Sequence, residues 1–295
     1  MNDLRELSEL AWKGLLDTKF EHHPVHTFYE GSTEINSFVL GIKGIGGFYA
    51  IDTGDGLVML DAGSQLDIET GYQEIKKWRP NDFLKKAIFS HHHVDHVFAV
   101  KKFDEECKEK NLPLPKVYSH SLTPEHFDRY KKTQGWNTAI NRRQFAIDSD
   151  KFSWPSSYRY PDEIYENECS FKQGNFTFNL YHARGETDDH TWVHIPEAKI
   201  LAPGDLFIWA VPNGGNPQKV QRYISDWAEA LDKMKEMESE ILLPGHGFPI
   251  FGKERIKIAL TTTSELLKSI EDQTLVLMNN CLLYTSDAAD DHHRV

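Results

Sequence analysis

The chain has 295 residues, 39% of them hydrophobic and 12% aromatic, enough to bury one substantial core with a small appendage. Its formal net charge of −12, with Lys101-Lys102 and Arg142-Arg143 as isolated basic pairs, lacks the clustered cations that phosphate contacts demand and excludes a nucleic-acid partner. No apolar run approaches the ~20 residues of a membrane span, and Cys107, Cys169 and Cys281 lie too far apart for a disulfide framework or a cysteine zinc site. A soluble, cytoplasmic protein acting on a small molecule is expected.

Residues 1–36 read as a helical and loop extension, with Leu4, Leu7, Leu10 and Ala11 in helical spacing and an acidic character unlike a secretory signal. Residues 37–63 have β character: Phe38-Val39-Leu40, then Gly46 to Ile51, a turn at Asp52-Thr53-Gly54-Asp55-Gly56, and a strand over Leu57 to Leu60. An Asp-Gly turn between apolar runs is a hairpin signal. A helix is predicted over 65–79, a short strand over Lys86 to Phe89, and helical and mixed structure over 97–150. Further strands are predicted from Ser170-Phe171, through Phe176 to Tyr181, at Thr191 to Ile195 and at Lys199 to Ala202. Ser225 to Glu240 reads as an amphipathic helix (Trp227, Leu231, Met234, Met237), Ile241-Leu242-Leu243 as a strand, and 253–279 as a helix. Strands followed by helices, twice over, predict an α/β protein: two mixed β-sheets flanked by helices, an αββα sandwich occupying residues 37–252.

Residues 281–295 stand apart. Cys281 to Asp291 resembles the in-frame translation of a transposase adapter used in sequencing-library preparation. The tail is therefore expected to be non-native and the natural chain to have run past Asn280, and His292 and His293 are given no part in a site.

Most of the chemical signal lies in Ser90-His91-His92-His93-Val94-Asp95-His96. On extended chain, residues two apart face the same side, so His91 and His93 can bind one metal together while His92 faces away. Asp95 and His96 then address a second metal beside the first. Neutral imidazoles and carboxylates are ligands that zinc, iron and manganese accept.

The pattern His-x-His-x-Asp-His resembles the signature of the metallo-β-lactamase superfamily, and its companions follow in the family's order. Asp61, closing Leu57 to Leu60, resembles the aspartate that buttresses the site. Asp205, within Leu201-Ala202-Pro203-Gly204-Asp205-Leu206-Phe207, resembles the carboxylate that bridges both metals, and His246, within Leu243-Pro244-Gly245-His246-Gly247, the last histidine ligand. Ligands at the ends of successive strands converge on one edge of such a sandwich. Most members carry a histidine in a Gly-His-Thr context, where this chain has Arg184-Gly185-Glu186-Thr187. Glu186 keeps that frame; His182 and His190 are the alternative ligands.

A glutamate at this point resembles the alkylsulfatase branch, in which a second acidic ligand follows nineteen residues later, as Asp205 follows Glu186. That branch uses glutamate for the bridge, where this chain has Asp205. It also carries a helical dimerisation region, whose start 253–280 resembles, implying a homodimer if that region is complete, and a lipid-carrier-like domain. Asn137 to Arg143 resembles an asparagine- and arginine-rich stretch of those enzymes, and Asn213 falls near their sulfate-contacting asparagines.

The resemblance implies two divalent metal ions, zinc foremost with manganese or iron as alternatives. His91, His93 and Glu186 would hold the first, Asp95, His96 and His246 the second, with Asp205 bridging. A hydroxide between two metals is a nucleophile near neutral pH. Asp61 would accept a hydrogen bond from a ligand histidine and counts with Asp95 as catalytic. Asn213, Arg142 and Lys219 are the expected substrate contacts, with Arg143 and Arg222 as further cationic candidates and Trp136, Trp209 and Tyr130 as apolar lining. The expected reaction is cleavage of an ester-type bond, an alkyl sulfate ester foremost. A lactone or thioester is the alternative substrate, and an iron-based redox enzyme or a non-catalytic metal-binding module the alternative function.

Overall fold

Strands that are apolar on both faces dictate the layering. In β3 (Phe48–Asp52), Phe48 and Ala50 enter one core while Tyr49 and Ile51 enter another. In β4 (Leu57–Leu60), Leu57 and Met59 divide from Val58 and Leu60 in the same way. Side chains alternate along a strand, so each such strand needs cover on both sides. The result is four layers: helices, sheet, sheet, helices.

The structure, a computed structural model, describes residues 3–19, 22–23, 25, 31–215 and 221–280. The first sheet runs in the order β1 (Ser32–Asn36), β2 (Val39–Ile42), β3, β4, β5 (Leu84–Ile88), β6 (Lys116–His120), β7 (Glu163–Tyr165). It is antiparallel as far as β4 and parallel beyond. The second runs β13 (Ile250–Phe251), β12 (Ile241–His246), β11 (Ile200–Ile208), β10 (His190–Ile195), β9 (Phe176–Ala183), β8 (Glu168–Gln173), with only β11 and β12 parallel. Ile75 of α2 (Ile68–Trp78), Phe103 of α3 (Val100–Glu109) and Phe127 of α4 (Thr123–Lys132) cover the first sheet. Trp227 and Leu231 of α6 (Ile224–Lys235) and Ile256 and Leu260 of α7 (Lys253–Asn279) cover the second. α5 (Gln134–Gln144) follows α4 directly. This is the expected αββα sandwich, and no helix among the described residues is long and apolar enough to cross a membrane.

The N-terminal stretch differs from its reading as an extension. Leu4 and Leu7 of α1 (Leu4–Trp12) enter the core between the sheets. Ser8 Oγ donates to the Pro249 carbonyl at 2.6 Å, and β1 adds an edge strand to the first sheet. The strand was invisible because Ile35 is its one strongly apolar residue, which suffices for an edge strand with a single buried stripe. β6 and β7 were likewise unread within and after the mixed segment. Lys219 and the tail 281–295 lie outside the described residues.

Candidate metal centre

Parallel pairing gathers the site. β4 and β5 run side by side with Leu60 opposite Ile88, so Asp61 and the Ser90–His96 segment emerge together at their carboxyl ends. β11 and β12 do the same in the second sheet, setting Asp205 beside His246.

Asp61 adopts a left-handed backbone, φ 55°, uncommon for a residue with a side chain and a form of strain that functional sites retain. Its carboxylate accepts from Ser90 N at 2.7 Å, Ser90 Oγ at 2.9 Å and His96 Nδ1 at 2.9 Å. A carboxylate only accepts, so His96 carries its proton on Nδ1 and the Ser90 hydroxyl proton points at Asp61. Ser90 Oγ must then accept from His91 Nδ1, 2.9 Å away. One aspartate thereby orients two imidazoles, each with its Nε2 turned into the cleft. His246 is fixed independently, its Nδ1 donating to the Ile45 carbonyl at 2.8 Å.

These atoms converge in two groups. His91 Nε2 lies 2.8 Å from His93 Nδ1, 3.5 Å from Glu186 Oε2 and 3.9 Å from Asp205 Oδ2, and His93 Nδ1 lies 3.2 Å from Glu186 Oε2. Asp95 Oδ2 lies 3.6 Å from His96 Nε2 and 3.2 Å from His246 Nε2. Asp205 faces both groups, with Oδ2 3.9 Å from His91 in the first and 3.3 Å from His246 in the second, and Oδ1 3.5 Å from His96. A tetrahedral cation with ligands at 2.0–2.1 Å spaces them about 3.3 Å apart. His96 Nε2, Glu186 Oε2 and Asp205 Oδ1 are buried without a hydrogen-bond partner, which native proteins rarely tolerate. The residues fit cations: His91, His93, Glu186 and Asp205 form one group able to hold an ion, Asp95, His96 and His246 another.

The electrostatics agree. Burial works against charge at every one of these positions, yet His93 and Arg222 hold Glu186 down at about 2. His246 and His96 hold Asp205 well below the usual carboxylate range. Against the same burial, Asp205 and Asp95 lift His246 to about 10. Burial, followed by the neighbouring His93, His190 and His96, drives His91 well below the ordinary histidine value. Ionised carboxylates confined in a dry cleft seek positive partners.

Of the three candidates for the variable position, Glu186 is the one in the cluster. His190 accepts from the Asp205 N–H at 3.0 Å through Nε2 and stacks on His91 at 4.5 Å. His182 Nδ1 donates to the His190 carbonyl at 3.0 Å, and its ring stacks on His120 at 3.8 Å. His92 faces away as expected, but towards His126 and Asp189, not solvent.

Of the expected substrate contacts, the two that lie among the described residues, Arg142 and Asn213, are not at the centre. Arg142 pairs with Asp150 at 3.1 Å, and exposed Asn213 accepts from the Gly215 N–H at 3.3 Å, which makes it a turn residue. Trp136 is exposed, Tyr130 buried, and Trp209 donates to the Phe248 carbonyl. Among the described residues, Arg222 is a cation that reaches the site: its side chain, 7% exposed, pairs with Glu186 Oε1 and donates to the Glu186 carbonyl at 2.9 Å. The sequence reading missed Ser90, whose place directly before the cluster was the available signal. It also missed Gly245, where a Cβ would stand 1.9 Å from Asp205 Oδ1.

Residues 44–246 match the profile of a family described as the metallo-beta-lactamase superfamily. A linear primary-alkylsulfatase from Pseudomonas sp. (strain ATCC 19151) is 21% identical over 249 residues, 79% of this chain and 47% of that protein. The chain thus spans about half the length of the curated relative it matches. Among solved structures, the stereoselective inverting sec-alkylsulfatase Pisa1 from Pseudomonas sp. superposes with a TM-score of 0.71 at 19% identity, over 85% of this chain and 43% of that one. A metallo-beta-lactamase from Pontibacter korlensis superposes with a TM-score of 0.54 at 19% identity, over 81% of this chain and 99% of that one.

Proposed function

The chain belongs to the metallo-beta-lactamase superfamily, and on that footing we propose that it is a metal-dependent hydrolase cleaving an ester-type bond in a small substrate, an alkyl sulfate ester foremost. The observation that carries this reading is Glu186. Its Oε2 is buried, unpartnered and shared with His91 and His93, so a carboxylate completes a ligand group that a third histidine would otherwise complete. The similarity to two alkylsulfatases supports the sulfate ester over a lactone or thioester.

His91, His93 and Glu186 would hold one divalent ion, Asp95, His96 and His246 a second, with Asp205 between them. Zinc suits the imidazole content, and the added carboxylate also admits manganese or iron. Such ions supply Lewis acidity and acidify water towards neutrality. The chain's own residues do the rest. Asp61, directly and through Ser90, keeps His96 and His91 in the tautomer that presents Nε2. Asp95 is the more open carboxylate, its side chain 22% exposed against 9% for Asp205, and would take up the proton that the attacking water gives up and hand it on to the departing oxygen.

Elemental analysis of the purified protein, followed by turnover of dodecyl sulfate, lactones and thioesters by wild type and Glu186→Ala, tests the proposal. Bound metal and dodecyl sulfate hydrolysis that Glu186→Ala abolishes is the expected result. Preference for a lactone or thioester would move the substrate assignment. A metal-free protein, or full activity in Glu186→Ala, would sink it.

A further inference from the structure

We propose that Asp189 and His92 form a positioning pair that holds the Glu186 loop against the His91–His93 segment, an inference that rests on the metal-centre reading above. Both side chains are fully buried, at 0% exposure. Asp189 Oδ1 accepts from His92 Nδ1 at 2.9 Å, and Oδ2 accepts from Thr123 Oγ1 of α4 at 2.9 Å. The other nitrogen of His92 takes a long contact from Arg129 Nη2 at 3.4 Å, also from α4. The neighbouring acid repeats the arrangement: Asp188 Oδ1 accepts from His126 Nε2 at 2.6 Å, and the His126 ring stacks on His92 at 4.0 Å.

Three pieces of chain are pinned at one point: the segment carrying His91 and His93, the loop carrying Glu186, and α4. His92 lies between two ligands on a bent segment after β5, so anchoring its ring on Asp189 and α4 fixes the bend that turns His91 and His93 into the cleft. Asp189 lies three residues past Glu186, so anchoring it fixes where Glu186 can reach. Burial alone would raise the Asp189 carboxyl, but His92 and then His126 hold it well below the ordinary range. Letting the loop drift would leave a buried charge without its hydrogen-bond partners.

His92, His126 and Asp189 lie close enough to cage a cation of their own. Hydrogen bonding argues otherwise. Both nitrogens of His92 and both oxygens of Asp189 already have partners, and the Arg129 guanidinium stands beside the His92 ring. Among the His, Asp and Glu atoms of these three groups, those buried without a hydrogen-bond partner lie in the main cleft: His96 Nε2, Glu186 Oε2 and Asp205 Oδ1.

Neither residue touches the reacting atoms, so the test reads metal site by site. Wild type, Asp189→Ala and Asp189→Asn are loaded with zinc, and zinc content and chelator-competition affinities are measured alongside thermal melts. Wild type is expected to hold about two zinc ions per chain. Asp189→Ala should weaken one competition step by about ten- to a hundredfold, the range for lost outer hydrogen bonds to a metal site, and leave the other unchanged. Asp189→Asn keeps an oxygen for His92 and an amide for Thr123, and should restore both steps to near wild type. Should Asp189→Ala fail to fold, Thr123→Val, which removes one arm of the clamp, should weaken the same step alone by several-fold. The inference is overturned by two unchanged steps in Asp189→Ala, or in Thr123→Val where that variant stands in. It is also overturned by weakening of both steps alike, or by a third zinc in wild type that both Asp189 variants lose. A wild type that holds no zinc, manganese or iron removes the metal reading itself, an outcome distinct from these.

Discussion

Arg222 grips Glu186 by one carboxylate oxygen and leaves the other facing His91 and His93. The pair is neutral overall and presents a single donor atom, which is what a neutral imidazole would offer in the same place. Arg222→Ala should free the gripped oxygen and leave Glu186 without its countercharge. We expect about a ten- to hundredfold loss in kcat/KM for ester hydrolysis, the scale of lost support to a metal ligand. Restoring a histidine in the double variant Glu186→His with Arg222→Ala should recover part of it. Turnover by Arg222→Ala within twofold of wild type would show that the grip is incidental.

Asp61→Asn separates charge from backbone. Asparagine tolerates the left-handed φ of 55° at this position, so the chain should fold. Its amide must, however, present a donor to Ser90 or His96, both of which donate to Asp61. Zinc affinity should fall about ten- to a hundredfold, with little change in the melting temperature of the metal-free protein. Equilibrium dialysis reads the first and calorimetry the second.

Gly245 leaves room for the Asp205 carboxylate. A Cβ there would lie 1.9 Å from Asp205 Oδ1 and 2.9 Å from the Asp205 nitrogen. Gly245→Ala should displace the carboxylate that faces both ligand groups, weaken binding of both ions together, and destabilise the fold by about 1–3 kcal/mol. Two unperturbed metal sites in that variant would contradict the bridging position of Asp205.

Away from the centre, Asp232 fastens α6 to α7. Ser264 Oγ donates to it at 2.8 Å, while Lys235 and Lys268 pair with it from either helix. Burial alone would raise its carboxyl, but bonds from Lys235, Lys268 and Ser264 bring it down to about 2 from an ordinary 3.8. A depressed carboxylate contributes stability that is present above its unfolded value and lost as pH falls through the folded one. Asp232→Asn should therefore melt below wild type at pH 7, and the gap should close between about pH 4 and pH 2. A gap that stays constant over that range would show that the charge is not the stabilising feature.

What the sequence revealed and what it hid divide along a physical line. His91 to His96, Asp205 and His246 lie in short strings beside apolar strands, where local pattern and chemistry coincide. β3, β4 and β11 were legible because their residues are apolar on both faces. β1 was hidden because an edge strand needs only one buried stripe, and Ile35 with Thr33 supplies it. The choice among Glu186, His182 and His190 required knowing which side chains other strands had already engaged. The place of Arg222 depends on a contact made across 36 residues, and that of Asp189 on one made across 97. No local pattern carries such distances.

The two ligand groups are also a seam. The first sheet delivers His91, His93, Asp95 and His96, while the second delivers Glu186, Asp205 and His246, and His96 meets Asp205 at 3.5 Å across the gap. Ions seated there would be rivets between the two halves of the sandwich, and whatever binds only the closed form stabilises it by mass action. Metal affinity and resistance to unfolding then become one linked equilibrium. A chelator would act as a denaturant directed at one edge, and backbone amides at the carboxyl ends of β5 and β11 would be the first to exchange with solvent when the rivets are drawn.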